Sequence, residues 1–312
     1  MRGQLCRHHG RPPVTFRPIQ ADDHVLLIDG SSFLWRAFYG APPVTRRSDR
    51  HPVGAISGFC WMMWTLLHET SAVPPASHRA VIFDAGRRNW RHDILASYKA
   101  NRNEPPDDIK RQFKPVRAAC AALPIPSVEL AGYEADDLIA TYTRKAVASG
   151  AGVTIATGDK DLAQLVDDRT GVCLYDASKG RTMREAEVLE RFGVPPAGVL
   201  DLLALAGDTT DNIPGVPGIG AKRAAELVSR HGSLEDIIAA GTARKEKQAA
   251  KVADHAASAR ISRSLATLDT AVPVPLALAH LGAQEPDMAA FAAFLNEWDL
   301  GGLAERLSAR AA

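Results

Sequence analysis

The sequence has few of the features that mark disulfide-bonded, zinc-binding or membrane-spanning proteins. It contains four cysteines in 312 residues and no CxxC pair, which argues against a zinc site or a disulfide framework and favours reduced thiols. Its most apolar run, residues 59–67, is about half of the roughly 20 residues that a membrane-spanning helix needs. We interpret this run as a buried helix, and we expect a cytoplasmic protein without a membrane partner.

A secretory signal and a strong net charge are also missing. Residues 1–22 contain Arg, His and Pro but no apolar segment, so we expect a flexible N-terminal extension. The formal net charge is +1, which gives no overall electrostatic argument for nucleic acid. Charge is concentrated locally, because residues 85–117 hold nine Lys or Arg against four acids. Such a basic segment is typical of a phosphate-binding surface, although a solvated charged helix has the same composition.

Four short apolar runs predict the strands of a buried parallel sheet. They lie at residues 25–28, 80–83, 153–156 and 171–174, and each is bounded by Gly or polar residues. Helical patterns lie between them, so the order of elements predicts a doubly wound α/β sheet. In sheets of this class, the functional crevice lies at the carboxyl ends of the strands.

Acidic residues follow three of these four runs. Asp29 and Asp84 come directly after the first two runs. The third run leads into a Thr-Gly-Asp-Lys-Asp sequence that contains Asp159 and Asp161. One aspartate at the end of a strand is common, but three strands that deliver acids to one crevice indicate a shared site.

Two further acidic clusters are predicted at helix starts. Glu134, Asp136 and Asp137 begin one predicted helix, and Asp208 and Asp211 have the spacing of one helical face. Compensation of the helix dipole would explain the first cluster taken alone, since acids are favoured in a first helical turn. An N-cap explains at most one member of the second pair.

The number of acids predicts a site for divalent cations. Nine carboxylates in one cleft would repel one another strongly, and an all-oxygen set suits Mg²⁺ or Mn²⁺ rather than zinc. Two such ions about 4 Å apart are the usual apparatus for phosphodiester hydrolysis, in which one activates water and the other stabilises the leaving oxygen. The nine acids are Asp29, Asp84, Glu134, Asp136, Asp137, Asp159, Asp161, Asp208 and Asp211.

A glycine-rich turn follows the last acidic cluster. The sequence N-I-P-G-V-P-G-I-G-A-K leads into a predicted helix with Lys222 and Arg223 in its first turn, which is typical of a helix–hairpin–helix motif. Gly215, Gly218 and Gly220 would let the backbone approach a phosphate, whose oxygens accept from amides at the helix start. Such contacts do not read bases, so we expect DNA to be recognised by shape.

Together, these segments resemble the 5′-nuclease family of 5′–3′ exonucleases and flap endonucleases, especially the N-terminal nuclease domain of bacterial DNA polymerase I. Six segments in the family order carry the resemblance: LLIDG, VIFDA, SYKANR, GYEADD, TGDKDL and GDTTDNIPGVPGIGAK. The resemblance implies a PIN-like or resolvase-like α/β core with a mostly parallel central sheet flanked by helices. It also implies a helical arch at about 86–115. We expect the core at 23–195 and a helical subdomain with the helix–hairpin–helix at 196–312.

The resemblance also implies which acids bind each metal ion. The residues it assigns to the first ion are Asp29, Asp84, Glu134 and Asp136, with Asp137 in support. Those it assigns to the second ion are Asp159, Asp161 and Asp211, with Asp208 bound directly or through water. All of these positions are acidic in this sequence, which argues against an inactive member of the family.

The implied DNA contacts lie in the arch and in the hairpin. Lys99 is the expected contact to the scissile phosphate, with Arg102 as a second cation and Arg91 as a weaker candidate. Tyr98 either stacks on a base or packs inside the protein. The hairpin implies binding of the downstream duplex, with help from a K⁺ ion held by backbone carbonyls. Arg223 stands where the family commonly has Thr, a change that we expect to be tolerated.

The implied activity is cleavage of DNA at 5′ flaps, overhangs and nicks during replication and repair. RNA primers on DNA are a further implied substrate. We expect a monomer associated with the nucleoid. The sequence stops near residue 312, so a polymerase partner would act in trans.

Three other functions are weighed against this activity. A DNA-structure-binding protein that does not cut would gain from fewer acids in the cleft, because they repel DNA. An aspartyl-phosphate phosphatase needs a second acid two residues after its nucleophile, and Asp29 is followed by Gly30 and Ser31. A related RNA-cleaving nuclease shares the α/β core but is not expected to carry the glycine hairpin.

Overall fold

The core of the protein is a six-stranded sheet, which a computed structural model describes together with its flanking helices over residues 15–311. The strands are His24–Asp29 (β1), His78–Ile82 (β2), Ser127–Val128 (β3), Gly152–Ala156 (β4), Val172–Asp176 (β5) and Arg181–Met183 (β6). Their order is β3-β2-β1-β4-β5-β6, and all neighbours are parallel except β5 and β6. The four predicted strands are confirmed, whereas the short β3 and β6 were not predicted.

Fourteen α-helices surround the sheet within the described residues. They are Gly30–Gly40 (α1), Gly54–Trp64 (α2), Arg91–Ile94 (α3), Asp107–Lys110 (α4), Phe113–Ala122 (α5), Ala135–Ala148 (α6), Glu185–Phe192 (α7), Pro196–Ala206 (α8), Ala221–His231 (α9), Leu234–Thr242 (α10), Lys247–Asp254 (α11), Ala256–Ala266 (α12), Met288–Glu297 (α13) and Gly301–Ala311 (α14). A π-helical turn, Thr65–Glu69, extends α2. No helix within residues 15–311 has the length and apolar character that crossing a membrane requires.

The two faces of the sheet bury separate apolar clusters. Successive side chains of β1 alternate between them, with Val25 and Leu27 on the first face and Leu26 and Ile28 on the second. Because both faces are covered, the strand is apolar throughout rather than at every second residue. Helices α6 to α12 pack on the first face, and α1, α2, α5, α13 and α14 pack on the second.

The last two helices, α13 and α14, do not pack with the rest of the predicted helical subdomain. Helices α8 to α12 belong to the layer on the first face of the sheet. On the second face, α13 packs against α5 and α14 packs against α2. The expected boundary at residue 195 stays a prediction. The free cysteines among the described residues, Cys60, Cys120 and Cys173, are all buried, and Cys6 lies outside those residues.

The chain before β1 is more ordered than we expected. Residues 1–14 lie outside the described part of the chain, so the expected extension is compared only from residue 15 onward. The Arg17 amide donates to the Ala279 carbonyl at 2.8 Å, and the ring of buried His78 lies 2.9 Å from the Arg17 carbonyl. The Arg17 side chain also pairs with Asp23 at 2.7 Å. Residue 17 thus contacts the core, and the flexible extension over residues 1–22 stays a prediction.

The segment predicted as a helical arch contains little helix. Within residues 86–115 the only α-helical stretches before α5 are α3 and α4, of four residues each, and turns join them. Pro105 and Pro106 contribute to this, since proline lacks the amide that an interior helical position uses. Lys99 and Arg102 consequently lie outside helices, whereas Arg91 and Lys110 belong to α3 and α4.

Candidate active site

Asp29 occupies the junction between β1 and α1. Its carboxylate accepts from the Ser32 amide at 2.9 Å, which caps α1, and from the Thr157 hydroxyl at 2.7 Å. Gly30 follows it because a Cβ there would lie 2.6 Å from the side chains of Phe83 and Val81. The strand end, the cap and the glycine together fix Asp29 at the carboxyl edge of the sheet, where it is only 4% exposed.

Asp84 and Asp136 approach Asp29 from the neighbouring elements. The Asp84 carboxylate accepts from the Ala135 amide at 2.9 Å, which ties the end of β2 to the first turn of α6. Burial, with the charges of Asp84 and Asp159, raises the pKa of Asp29 to about 7 despite the hydrogen bonds from Ser32 and Thr157, which lower it. Burial also raises the pKa of Asp136 well above its usual range, with contributions from Asp159, Asp29 and Glu134. These acids therefore form one group, which we call the acidic cluster: Asp29, Asp84, Glu134, Asp136 and Asp159.

Asp161 and Asp208 lie beside the acidic cluster and share Lys160. The Asp161 amide donates to the Asp159 carboxylate at 2.8 Å, so the loop after β4 holds both acids in place. Burial and the charge of Asp159 raise the pKa of Asp161 to about 6. The Lys160 ammonium bonds to Asp161 at 3.0 Å and to Asp208. Burial alone would raise the pKa of Asp208, but the hydrogen bond and charge of Lys160, together with backbone amide donors, lower it.

Asp208 and Asp211 do not share a helical face. The backbones of Asp208 and Ile213 form a two-way hydrogen-bonded bridge, so the residues between them make a turn. The prediction of helical spacing for this pair is wrong. Gly207 explains the turn, because its φ of +70° ends α8 before the first of the two acids. Asp211 consequently points towards Glu134 rather than towards Asp208.

Lys99 and Arg102 supply the positive charge at this end of the site. The Lys99 ammonium bonds to Glu134 and lies 3.4 Å from Asp211, which also bonds to Arg102. The Lys99 amide donates to the Asp211 carbonyl at 2.9 Å, so this basic turn is joined to the turn that follows α8. The structure thus brings both predicted cations to the edge of the acidic cluster.

Tyr98 is part of the protein interior. Its ring is 3% exposed and lies edge-to-face with His92 at 5.5 Å. Its hydroxyl donates to Glu134 at 3.1 Å and Asp211 at 3.2 Å. Of the two interpretations of Tyr98, packing is confirmed. Stacking on a base stays a prediction, because Tyr98 also lines a cavity beside Lys99 and Arg102.

Arg91 and Asp137 form a buried ion pair under the site. The two guanidinium nitrogens of Arg91 donate to the two oxygens of Asp137 at 2.7 and 2.8 Å, and Arg91 is 2% exposed. Arg91 also donates to the carbonyls of Leu265 and Thr267. The interpretation of Arg91 as a phosphate contact is therefore wrong, because the side chain is enclosed and its donors are used.

Asp137 is likewise unsuited to bind a metal ion. Besides Arg91, its carboxylate accepts from Trp90 Nε1 at 3.1 Å, the Glu134 amide at 3.2 Å and the Asp269 amide at 3.0 Å. Burial alone would raise the pKa of Asp137, but the hydrogen bonds and charge of Arg91 lower it. The predicted metal ligand is thus a positioning residue, which orients the start of α6 and the backbone of Glu134.

A cavity of about 350 Å³ opens beside the acidic cluster. Its walls include Asp84 and both predicted cations, together with side chains that the sequence did not identify as functional. These are Trp35, Arg87, Phe113 and Arg117. Cationic and aromatic side chains around one cavity are a combination that binds single-stranded nucleic acid. Trp35 could have been found from its place on α1, the helix that Asp29 caps.

The glycine hairpin lies after the Asp208 turn, as the motif predicts. Gly215 has a φ of +61°, and a Cβ there would lie 2.5 Å from the Gly207 amide nitrogen, so only glycine fits. Ser262 accepts from the Gly215 amide at 2.9 Å and fixes the turn. Gly218 and Gly220 precede α9, whose first turn carries Lys222 and Arg223, and the Arg223 guanidinium donates to the Gly218 carbonyl at 3.0 Å.

The donor set fits divalent cations of the Mg²⁺ class. Within residues 15–311, no three of the acids are grouped tightly enough to hold a metal ion as they stand. The ammonium groups of Lys99 and Lys160 instead pair with Glu134 and Asp208. The group is nevertheless composed of oxygen donors, and the raised pKa values of Asp29 and Asp136 show a dense negative charge that a cation would relieve.

Comparison with protein-family models matches most of the chain. Residues 24–193 match the 5′–3′ exonuclease N-terminal resolvase-like domain, and residues 194–289 match the 5′–3′ exonuclease C-terminal SAM fold. DNA polymerase I of Rhizobium leguminosarum is 42% identical over 290 residues, which cover 92% of this chain and 28% of that protein. The 5′–3′ exonuclease of Streptomyces coelicolor is 35% identical over 302 residues, which cover 90% of this chain and 98% of that protein.

Solved structures with the same fold come from two further proteins. T5 5′-exonuclease with bound zinc ions aligns with a TM-score of 0.63 at 21% identity, over 90% of this chain and 99% of that one. The catalytic core of Rad2 in complex with DNA substrate aligns with a TM-score of 0.60 at 17% identity, over 94% and 93%. These likenesses support the fold, namely a resolvase-like sheet with a SAM-like helical part.

Proposed function

Because this chain belongs to the 5′–3′ exonuclease family, we propose that it hydrolyses DNA phosphodiesters near junctions between a 5′ single strand and a duplex. The observation that carries the proposal is the acidic cluster at the carboxyl edge of the sheet, next to a cavity lined by cations and aromatic rings. The proposed substrates are DNA with 5′ flaps, overhangs or nicks, and RNA primers on DNA, in replication and repair.

Two divalent cations, Mg²⁺ or Mn²⁺, are the proposed cofactors. The acids that would hold the first are Asp29, Asp84, Glu134 and Asp136. Those that would hold the second are Asp159, Asp161 and Asp208, with Asp211 between Glu134 and the hairpin. When bound, such ions supply an activated water and stabilise the leaving oxygen. This set differs from the sequence-based one in two ways. It leaves out Asp137, whose oxygens are used by Arg91 and its neighbours. It also exchanges Asp208 and Asp211, since Lys160 bridges Asp208 to Asp161, whereas the Asp211 carboxylate lies with Tyr98, Lys99 and Arg102.

Lys99 and Arg102 are the proposed contacts to the scissile phosphate. Both cations line the cavity, and both bond to acids at its edge. A positive charge that is already oriented there stabilises the charge that develops on the phosphate oxygens in the transition state. The Lys99 backbone has a φ of +54°, a conformation that non-glycine residues seldom adopt, and the bond to the Asp211 carbonyl maintains it.

The glycine hairpin is the proposed site for the downstream duplex. The backbone amides at the start of α9 and the side chains of Lys222 and Arg223 would contact phosphates without reading bases. The implied K⁺ ion stays a prediction. The carbonyls of Gly215 and Gly218 each accept one hydrogen bond, from Ser258 and Arg223, and each keeps a second lone pair.

Cleavage of a defined junction tests the proposal. A 5′-flap DNA labelled at the flap end is incubated with the purified protein in Mg²⁺, in Mn²⁺ and in chelator. The proposal predicts cutting close to the junction with either cation and none with chelator. Tight binding of the flap without cutting under all three conditions would support a DNA-binding protein instead.

A further inference from the structure

Lys160 lies between two of the acids that are proposed to hold the second cation. Its ammonium donates to the Asp161 carboxylate at 3.0 Å and also to the Asp208 carboxylate. The two acids come from different parts of the chain, because Asp161 begins the 3₁₀ turn after β4 and Asp208 follows α8. One lysine therefore neutralises a pair of carboxylates that only the folded chain brings together.

The two carboxylates are held in place independently of the lysine. One oxygen of Asp208 accepts from the Thr210 amide at 2.7 Å, and the other oxygen accepts from Lys160. The Asp161 amide is fixed by its bond to the Asp159 carboxylate. The side chains of Asp161 and Asp208 are only 19% and 9% exposed, whereas that of Lys160 is 42% exposed. The lysine is thus the member of this group that is freest to move into solvent.

The acids proposed for the first cation have no comparable lysine bridge between them. In the part of the chain that the structure describes, only Glu134 of these four acids forms ion pairs, with Arg91 and Lys99. The charged neighbours of Asp29 and Asp136 are other acids. The two proposed cation sites therefore differ, because only the second has two of its acids neutralised by one side chain of the protein.

An ammonium and a divalent cation would use the same oxygens of Asp161 and Asp208. Hydrogen bonds between ionised groups are stronger than those between neutral groups, so displacing Lys160 costs free energy. The cost is moderate, since the lysine is partly exposed and its long side chain can carry the ammonium into water. The second cation should consequently bind more weakly than the first, although its acids are equally suited to it.

We propose that Lys160 is an internal counter-ion of the second cation site, which joins Asp161 to Asp208 before the cation binds and competes with it for their oxygens. The inference rests on the proposed nuclease function, because it concerns the acids of that site. Lys160 is a positioning residue, which acts through the two acids. It makes the occupancy of the second site, and with it cleavage, depend on a higher cation concentration than the first site requires.

Binding of Mn²⁺ to the DNA-free protein tests the proposal without relying on activity. The free ion is followed by its electron paramagnetic resonance signal while the protein is titrated. The wild type should bind one Mn²⁺ tightly and a second more weakly. Lys160→Met removes the charge and keeps a side chain of similar length. This variant should bind the second ion severalfold more tightly and the first ion with unchanged affinity.

Two control variants separate the bridge from a general loss of positive charge. Lys160→Arg keeps a cation at this position and should keep the weak binding of the second ion. Lys179→Met removes an exposed lysine that pairs with Asp176, which is not one of the nine acids, and it should change neither affinity. A severalfold gain in Lys179→Met as well would show that net charge alone sets the affinity, and would overturn the role of Lys160.

The melting temperature in chelator gives a second measurement, in which no divalent cation takes part. Lys160→Met should lower it, because Asp161 and Asp208 then repel each other without a counter-ion. The same substitution in an Asp208→Asn background should lower it less, since only one of the two carboxylates remains. Additive effects of the two substitutions would contradict the bridge, because groups that interact directly give non-additive changes.

The outcomes distinguish this proposal from the nuclease function. Equal affinity of the wild type and Lys160→Met for the second Mn²⁺, or a single bound ion in both, would overturn the role of Lys160 even if both proteins cut a 5′-flap DNA. The predicted change in Mn²⁺ binding without cutting by either protein would instead contradict the nuclease function and leave the counter-ion in place. If Lys160→Met does not fold, Lys160→Gln removes the same charge, and it should show the same severalfold gain in affinity for the second ion.

Discussion

Arg91 and Asp137 form a two-pronged ion pair beneath the acidic cluster, with both nitrogen–oxygen distances below 3 Å. Arg91 belongs to α3 and Asp137 to the first turn of α6. The carbonyls that Arg91 also contacts are those of Leu265, in the last turn of α12, and Thr267, directly after it. The pair therefore joins three parts of the chain at one point. Neither side chain reaches solvent, so its contribution is to position the cluster rather than to bind DNA.

Removing Arg91 should destabilise the whole protein. Arg91→Leu leaves the Asp137 carboxylate buried without its partner, which costs about 3–5 kcal/mol for a buried pair. The melting temperature and the urea midpoint should both fall clearly. Arg88→Leu is the matched control, since Arg88 is largely exposed and pairs only with exposed Asp93. Equal stability of the two variants would contradict the importance of the buried pair.

Lys99→Ala should slow the chemical step more than it weakens DNA binding. A cation beside a phosphate on which charge develops contributes about 10²–10³-fold to the rate in comparable sites. Single-turnover cleavage of the flap DNA measures this directly. Lys110→Ala serves as the control, because Lys110 lies on α4 among exposed acids. If the single-turnover rate of Lys99→Ala equals that of the wild type, Lys99 does not act on the phosphate.

The stability of the protein in chelator should fall as the pH rises from about 4 to 7. Asp29 has a pKa of about 7 in the folded protein against an ordinary aspartate value of 3.8, so in this range its carboxyl binds more protons in the folded state than in the unfolded state. Stability then decreases with pH by linkage. Asp29→Asn should reduce this decrease in the melting temperature. Mg²⁺ should raise the melting temperature of the wild type more at pH 8 than at pH 5, because it binds the deprotonated acids. An equal rise at both pH values would contradict this prediction.

Alanine substitutions at two glycines of the hairpin should differ in their effect on stability. Gly215→Ala places a Cβ against the Gly207 backbone at a φ of +61°, so it should lower the melting temperature and duplex binding together. A Cβ on Gly220 meets no protein atom within 4 Å, and its φ is −89°, so Gly220→Ala should fold normally. Duplex binding should still weaken, because the methyl group lies where a phosphate would approach. Normal duplex affinity of Gly220→Ala would remove this glycine from the DNA-binding surface.

The sheet and most of the acidic cluster could be predicted from sequence because their signals are local. An apolar run of strand length followed by an acid identifies both the strand and the edge at which its side chain lies, as for Asp29 and Asp84. The glycine hairpin is also a local pattern, since the residues that make the turn are consecutive.

The parts that could not be predicted depend on contacts between distant segments. Nothing near Arg91 in the sequence shows that its donors are used by Asp137 and by carbonyls at the end of α12, so the sequence assigns its charge to DNA. Tyr98 was ambiguous for the same reason, because its partners Glu134 and Asp211 lie far along the chain. The Asp208 turn was missed because i,i+3 spacing fits a turn as well as a helix.

Cleavage by Asp159→Ala is the most direct test of the central claim, which is that the acidic cluster cuts DNA rather than binding it. Flap-DNA affinity and the single-turnover cleavage rate are measured for this variant and the wild type, with Asp29→Ala in parallel. The account predicts that both variants lose cleavage and retain wild-type affinity within a small factor, since the acids hold cations and the basic groups hold DNA. Cleavage at the wild-type rate, or loss of DNA binding together with activity, would contradict it.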